Sequence, residues 1–155
     1  MGIIRGLKFY STGYNTKYDG LFYYSYDKSH RFDAKQNFWG VDPARTPSES
    51  GSLVLEYKHS MDGLIRDFEK DEKNPREIAL LVCWDLGSEY KKNYQIVSYL
   101  NGQEGGTREF FAATHAVYSG TGRSAKAFEV ICLNDLVSFY QAPAETVAKH
   151  QVQFG

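Results

Sequence analysis

Seven successive residues, Ile78 to Trp84, read IALLVCW and contain neither a charge nor a turn former. A strand with one wet face alternates apolar and polar side chains, whereas an unbroken apolar run belongs to a strand covered on both faces. Such a strand needs a layer above it and a layer below it. The chain therefore has to build a sheet with this segment at its centre and helices or long connections packed over the faces.

The flanking sequence supplies those layers. SLVLEYKHS, ahead of the apolar run, alternates: Leu53, Leu55 and Tyr57 point one way, Val54, Glu56 and Lys58 the other. MDGLIRDFEK follows, with Leu64, Ile65 and Phe68 at helical spacing, and Asn74-Pro75 closes the pattern. Upstream, Ile3 to Tyr10 and Leu21 to Tyr26 are rich in aromatic and branched residues and read as neighbouring strands, with STGYNTKYDG as the turn between them. Ser29 to Gly51 is polar and irregular, broken by Pro43 and Pro47, and reads as a long loop. Downstream, YQIVSYL, REFFAATHAVY and AKAFEVICL carry strand character, separated by NGQEGG and SGTGRS. Asn134 is expected to cap a short helix running through Tyr140, and a terminal helix follows. The order is that of an α/β protein with a mixed central sheet flanked by helices.

At 155 residues and 42% apolar content, one domain spanning 1–155 with a packed core is expected. No apolar stretch reaches the roughly 20 residues that span a bilayer, and no secretory run opens the chain, so a cytoplasmic, non-membrane location is expected. Cys83 and Cys132 each sit inside an apolar run and read as buried thiols. The four histidines complete no zinc spacing, so no structural metal is expected. With 18 basic against 19 acidic residues, global charge does not announce a nucleic-acid binder. Arg5, Lys8, Lys17, Lys28, Arg31 and Lys35 nevertheless leave a local basic excess early in the chain, suited to phosphates or to an ordinary solvated sheet surface. There is no G-x-S-x-G elbow and no P-loop ending, so neither serine-nucleophile chemistry nor P-loop nucleotide binding is expected.

One constellation carries chemistry. Glu56 and Lys58 are two apart in a strand and emerge on one face, and Asp19 enters the preceding strand within Tyr18-Asp19-Gly20. Carboxylates converging from two strands can hold Mg²⁺, which takes oxygen ligands and keeps several waters. E-x-K alone is weak, because a surface ion pair also explains it. In this context, an Asp-Gly before an aromatic strand, a long connection, E-x-K on a strand, a helix and a buried strand, the segment from about Tyr14 to Leu86 resembles the PD-(D/E)XK nuclease superfamily, the restriction-endonuclease-like fold. Tyr18 stands where that family has Pro, and LEYK matches its hydrophobic-Glu-x-Lys half. LEYKHS through LLVCWDL, ATHAVYS and the closing strand with LNDL also resemble nuclease-like domains that accompany histidine-kinase-like ATPases.

The resemblance implies a metal-dependent nuclease that hydrolyses phosphodiester bonds, DNA preferred to RNA. Asp19 and Glu56 would ligate Mg²⁺ (Mn²⁺ substituting), the Tyr57 carbonyl would assist, and Lys58 would orient or activate water. It also implies an ATPase partner domain and, for double-strand cutting, a homodimer. Some members add a Glu from a helix before the first strand. No such helix is read here, so an incomplete site or a piece of a longer protein is expected. The competing expectation is a catalytically inactive module of the same fold, used for nucleic-acid binding or assembly. Asp27 and Asp33 are substitutes for Asp19 in polar sequence where solvated Asp is the norm. His59, His115 and Asp85 read as structural, and Arg66 and Lys70 as a solvated helix face with phosphate contact as the alternative.

Overall fold

The computed structural model describes residues 5–10, 17–101, 107–120 and 125–155. The strands are β1 (Leu7–Tyr10), β2 (Gly20–Tyr24), β3 (Leu53–Ser60), β4 (Leu80–Asp85), β5 (Tyr94–Ser98), β6 (His115–Ser119) and β7 (Lys126–Cys132). The helices are α1 (Met61–Glu69), α2 (Leu133–Gln141) and α3 (Pro143–Phe154). They form a mixed seven-stranded sheet in the order β1-β2-β3-β4-β7-β6-β5, flanked by the three helices. Among the described residues no helix is long and apolar enough to cross a membrane.

β4 carries the apolar run and lies at the middle of the order, parallel to β3 on one side and to β7 on the other. Its residues divide between two cores as a pleated strand requires: Leu80 and Val82 pack on one face, Leu81 and Cys83 on the other. Parallel neighbours need a crossover, and α1 supplies it between β3 and β4. Met61, Leu64 and Ile65 bury the apolar stripe of α1 among Leu81, Cys83, Phe128 and Val130. Ser60 ends β3 and caps α1 by accepting from Asp62 N–H, so strand and helix join without a loop. The opposite face is closed by Trp39, Val41, Phe110 and Phe111 from irregular segments and by Leu136 of α2.

Two local expectations are corrected. Strand character in REFFAATHAVY extends only over His115–Ser119. Arg108 is fully buried and donates to the carbonyls of Phe38 and Ala113, both at 2.6 Å, with Phe38, Trp39 and Tyr99 rings around it. That guanidinium ties the segment to the 29–51 excursion instead of to a neighbouring strand. Asn134 is not a cap: β7 passes directly into α2 with Cys132 at the cap position and no side-chain cap bond, so Asn134 lies inside the first turn. The excursion from Ser29 to Gly51 is irregular as expected, but it holds isolated bridges Arg31↔Val41 and Asp33↔Asn37 and places Trp39 in the core. Parts of the turns read at 11–16, 102–106 and 121–124, with Ile3, Ile4 and Tyr14, lie outside the described residues.

Candidate functional site

β2 begins at Gly20, opposite Leu55 of β3. Beyond that register none of the described strands pairs with the outer edge of β3, and the peptide N–H of Tyr57 needs another acceptor. Asp19 provides it: Tyr57 N–H donates to Asp19 Oδ2 at 2.8 Å. In return the Asp19 N–H donates to Glu56 Oε1 at 3.0 Å. The two carboxylates are thus tied to each other's backbones across one strand gap. Asp19 is exposed while Glu56 is fully buried, which gives a pair with one member facing water and the other beneath it. Tyr57 directs its N–H toward Asp19, and in an extended strand its carbonyl leaves on the same edge.

The charges around Glu56 come from α1 and the turn after it. Lys73 Nζ lies 2.7 Å from Glu56 Oε2 and 3.5 Å from Asp67 Oδ2. Lys58 Nζ, on the same β3 face as Glu56, lies 2.8 Å from Asp67 Oδ2. The result is a chain Glu56–Lys73–Asp67–Lys58 of alternating sign. Burial pushes the Glu56 carboxyl above its usual range, and the Lys73 ammonium and Asp19 N–H only partly reverse that. Burial disfavours the charge on Lys73, yet Glu56 and Asp67 hold the ammonium above its ordinary range. For Asp67, burial works upward but Lys58 and Lys73 overcome it and keep the carboxyl low. Tyr18, next to Asp19, is buried and donates to Glu77; burial and that bond raise its phenol to about 12.

Asp19, Glu56, Tyr57 and Lys58 therefore gather at one place, and the other candidates do not join them. Asp27 caps the turn at Lys28–His30 through Ser29 N–H, and Asp33 accepts from Lys35 and Gln36 N–H. His59 is exposed, Asp85 ends β4, and Arg66 and Lys70 are exposed on α1 and just beyond it. Cys83 and Cys132 are buried free thiols opposite each other in β4 and β7. His115 is buried in β6, far along the sheet. Of the early basic residues, Arg5, Lys28 and Arg31 line a surface cavity of about 600 Å³ with Asp33 and Asn37. Lys73 and Asp67 were not foreseen. Lys73 sits in the charged run DEKNP, which looks like solvated surface; only its position just past a helix that must cross over Glu56 signals its role.

No family model, no curated protein and no solved structure matches the chain.

Proposed function

We propose that this chain is a divalent-metal-dependent nuclease of the PD-(D/E)XK type, acting on DNA in preference to RNA. The observation that carries this reading is the reciprocal tie between Asp19 and Glu56 on adjacent strands, with Lys58 on the same face. The antiparallel β1-β2-β3 meander, the α1 crossover and the parallel β4 supply the element order that the resemblance implies.

The donor set suits Mg²⁺ or Mn²⁺: two carboxylates and a peptide carbonyl are hard oxygens, and a buried carboxylate already draws a cation to itself, here the Lys73 ammonium. Asp19 and Glu56, with the Tyr57 carbonyl, would hold the ion. Bound there, it would polarise the phosphate and lower the pKa of a coordinated water. Asp19 stands at the solvent side, where a nucleic-acid strand can approach, and Glu56 anchors the site from beneath. Lys58 brings a positive charge to the same face to orient water or neutralise the phosphate, once it leaves Asp67. Lys73 has to yield its place beside Glu56.

The test is incubation of purified protein with plasmid and with single-stranded oligonucleotide, each with Mg²⁺, Mn²⁺ or EDTA. Cleavage that requires the metal is expected; cleavage unchanged in EDTA would refute the reading. Asp19→Asn should weaken metal binding and activity together. Lys58→Ala should leave metal binding intact while turnover falls by about 10²- to 10⁴-fold. Near-normal turnover in folded Lys58→Ala would return Glu56 and Lys58 to an ordinary ion-pair role.

One observation favours a second reading, the catalytically inactive module. Both charged E-x-K residues already have internal partners, Lys73 for Glu56 and Asp67 for Lys58. A folded protein that binds nucleic acid but cuts nothing under any metal condition supports that alternative.

A further inference from the structure

Three side chains distant in sequence meet at the other end of the sheet. His115 opens β6, Asp135 lies in the first turn of α2, and His150 belongs to α3. One ligand-type atom from each lies within 4.8 Å of the other two. His115 Nε2 is 3.7 Å from Asp135 Oδ2, and His150 Nε2 is 3.4 Å from Asp135 Oδ1. Both imidazoles are fully buried, and among the described residues neither Nε2 has a hydrogen-bond partner. These separations exceed the roughly 2.9–3.0 Å of a good N–H···O bond. They are close to the edge of a coordination tetrahedron, about 3.3–3.5 Å for metal–ligand bonds of about 2.0–2.1 Å.

The far side of each ring is anchored. Thr114 Oγ1 lies 2.8 Å from His115 Nδ1, accepts from Cys132 N–H at 2.9 Å and donates to Val130 O at 3.0 Å. With the threonine proton on Val130, the ring itself donates from Nδ1, and Nε2 turns a bare lone pair toward the Asp135 carboxylate. Ser98 Oγ lies 2.6 Å from His150 Nδ1 and also accepts from Leu100 N–H. A lone pair facing a carboxylate in a dry interior is repulsive, and a cation between them reverses the sign.

The geometry points to a transition-metal site, best suited to Zn²⁺, whose protein ligands are His115 Nε2, His150 Nε2 and the Asp135 carboxylate. Imidazole nitrogens select Zn²⁺ over Mg²⁺, so this site differs in chemistry from the oxygen donors around Glu56. Hydroxyl partners on the second ring nitrogens are the outer support that metal-bound histidines have. A surface cavity of about 300 Å³ lined by Asp135, Gln141, Thr146 and Lys149 adjoins the cluster on the Asp135 side; a catalytic-type Zn²⁺ with three protein ligands takes water or an anion as its fourth. Cys132 Sγ is nearby, donating to Trp84 O at 3.3 Å, and is not a ligand in this assignment. The ion joins β6, α2 and α3, and so fastens the C-terminal helices to the sheet. None of this depends on nuclease activity.

Apo protein is titrated with Zn²⁺ by calorimetry against a chromophoric chelator, with thermal unfolding followed in parallel. One Zn²⁺ per chain and a melting temperature that climbs with Zn²⁺ are expected. His150→Gln and Asp135→Asn should weaken binding by about 100-fold or more, and Ser98→Ala and Thr114→Val by about 10- to 100-fold. Glu56→Gln should leave it unchanged. The Co²⁺-loaded wild type should show d–d bands of low coordination number without a thiolate charge-transfer band. Absence of Zn²⁺ binding by folded wild type, binding undiminished in folded His150→Gln, or a thiolate band would each overturn the assignment. If the ligand variants do not fold, the wild-type Co²⁺ spectrum and the histidine ¹⁵N shifts on Zn²⁺ addition decide it: unmoved Nε2 resonances refute the site.

Discussion

Lys73→Met removes the ammonium that touches Glu56 while keeping a side chain of similar length and apolar character. Glu56 is fully buried, its Oε2 2.7 Å from Lys73 Nζ and its Oε1 3.0 Å from Asp19 N. Breaking a fully buried ion pair costs about 3–5 kcal/mol, because the surviving charge is left in a poorly hydrated place. The Lys73 side chain keeps 13% of its exposure and Glu56 keeps the Asp19 peptide bond, so the cost here is about 2–3 kcal/mol. For a chain of this size that is a fall in melting temperature of about 4–12 °C. In Glu56→Gln/Lys73→Met the amide oxygen still accepts from Asp19 N–H and no charge is stranded, so all but about 1 kcal/mol should return. Mg²⁺ supplies a second comparison: at 100 times its dissociation constant an ion stabilises by about 2.7 kcal/mol, enough to offset the Lys73→Met loss. Scanning calorimetry of wild type and both variants, with and without Mg²⁺, reads all of these. A Lys73→Met protein melting within about 1 °C of wild type, or a double variant less stable than Lys73→Met, refutes the charge reasoning. Equal Mg²⁺ stabilisation of wild type and Lys73→Met would show that lysine and metal do not compete.

Gly87 has φ +64°, and a Cβ there would lie 2.3 Å from the Asp62 carboxyl group, which accepts from Ser88 and Glu89 N–H. Gly87→Ala should therefore cost more than the roughly 1 kcal/mol of a left-handed alanine, read as a lower urea midpoint. Arg108→Leu leaves the carbonyls of Phe38 and Ala113 without their donor and should destabilise by about 3 kcal/mol or more, with the largest loss of amide protection in residues 108–114. Burial disfavours the Lys126 charge, but Glu129 and Glu109 overcome it and hold the ammonium above its usual range. The stabilisation it provides is complete below the unfolded-state value of about 10.5 and is lost as pH rises through the folded-state value. Lys126→Met should consequently be less stable than wild type at pH 7, with the gap closing in alkaline urea titrations; a gap that widens there would contradict the sign.

Local pattern made β3, α1 and β4 legible, because each is specified by the spacing of its own apolar residues. REFFAAT misled for the same reason. Its aromatic residues resemble a strand, yet what settles its conformation is the burial of Arg108 against Phe38 and Trp39, some seventy residues earlier in the chain. Asp19, Glu56 and Lys58 could be singled out because two share a strand and the third enters the strand before it. Lys73 and Asp67 escaped because a charged side chain gives no local sign of whether it points to water or over a sheet.

The histidines show the limit more sharply, and pairing register accounts for it. Glu56 is opposite Leu81, Leu81 opposite Val130, Val130 opposite His115, and His115 opposite Ser98. These five residues form one row across the sheet, and side chains in such a row share a face. Glu56 and His115 are three strand spacings apart in it, about 14–15 Å, with apolar Leu81 and Val130 between them. No single cation reaches both ends, and the intervening side chains keep water from linking them. The row exists only because β7 lies beside β4 and β6 turns back against β7, neither of which any residue spacing encodes. The same geometry keeps the oxygen-rich and nitrogen-rich clusters chemically independent, so Zn²⁺ bound between His115 and His150 should leave the Lys73→Met stability loss unchanged. If Zn²⁺ repairs that loss in a protein that retains His115 and His150, the two clusters are coupled and the separation reasoned from register is wrong.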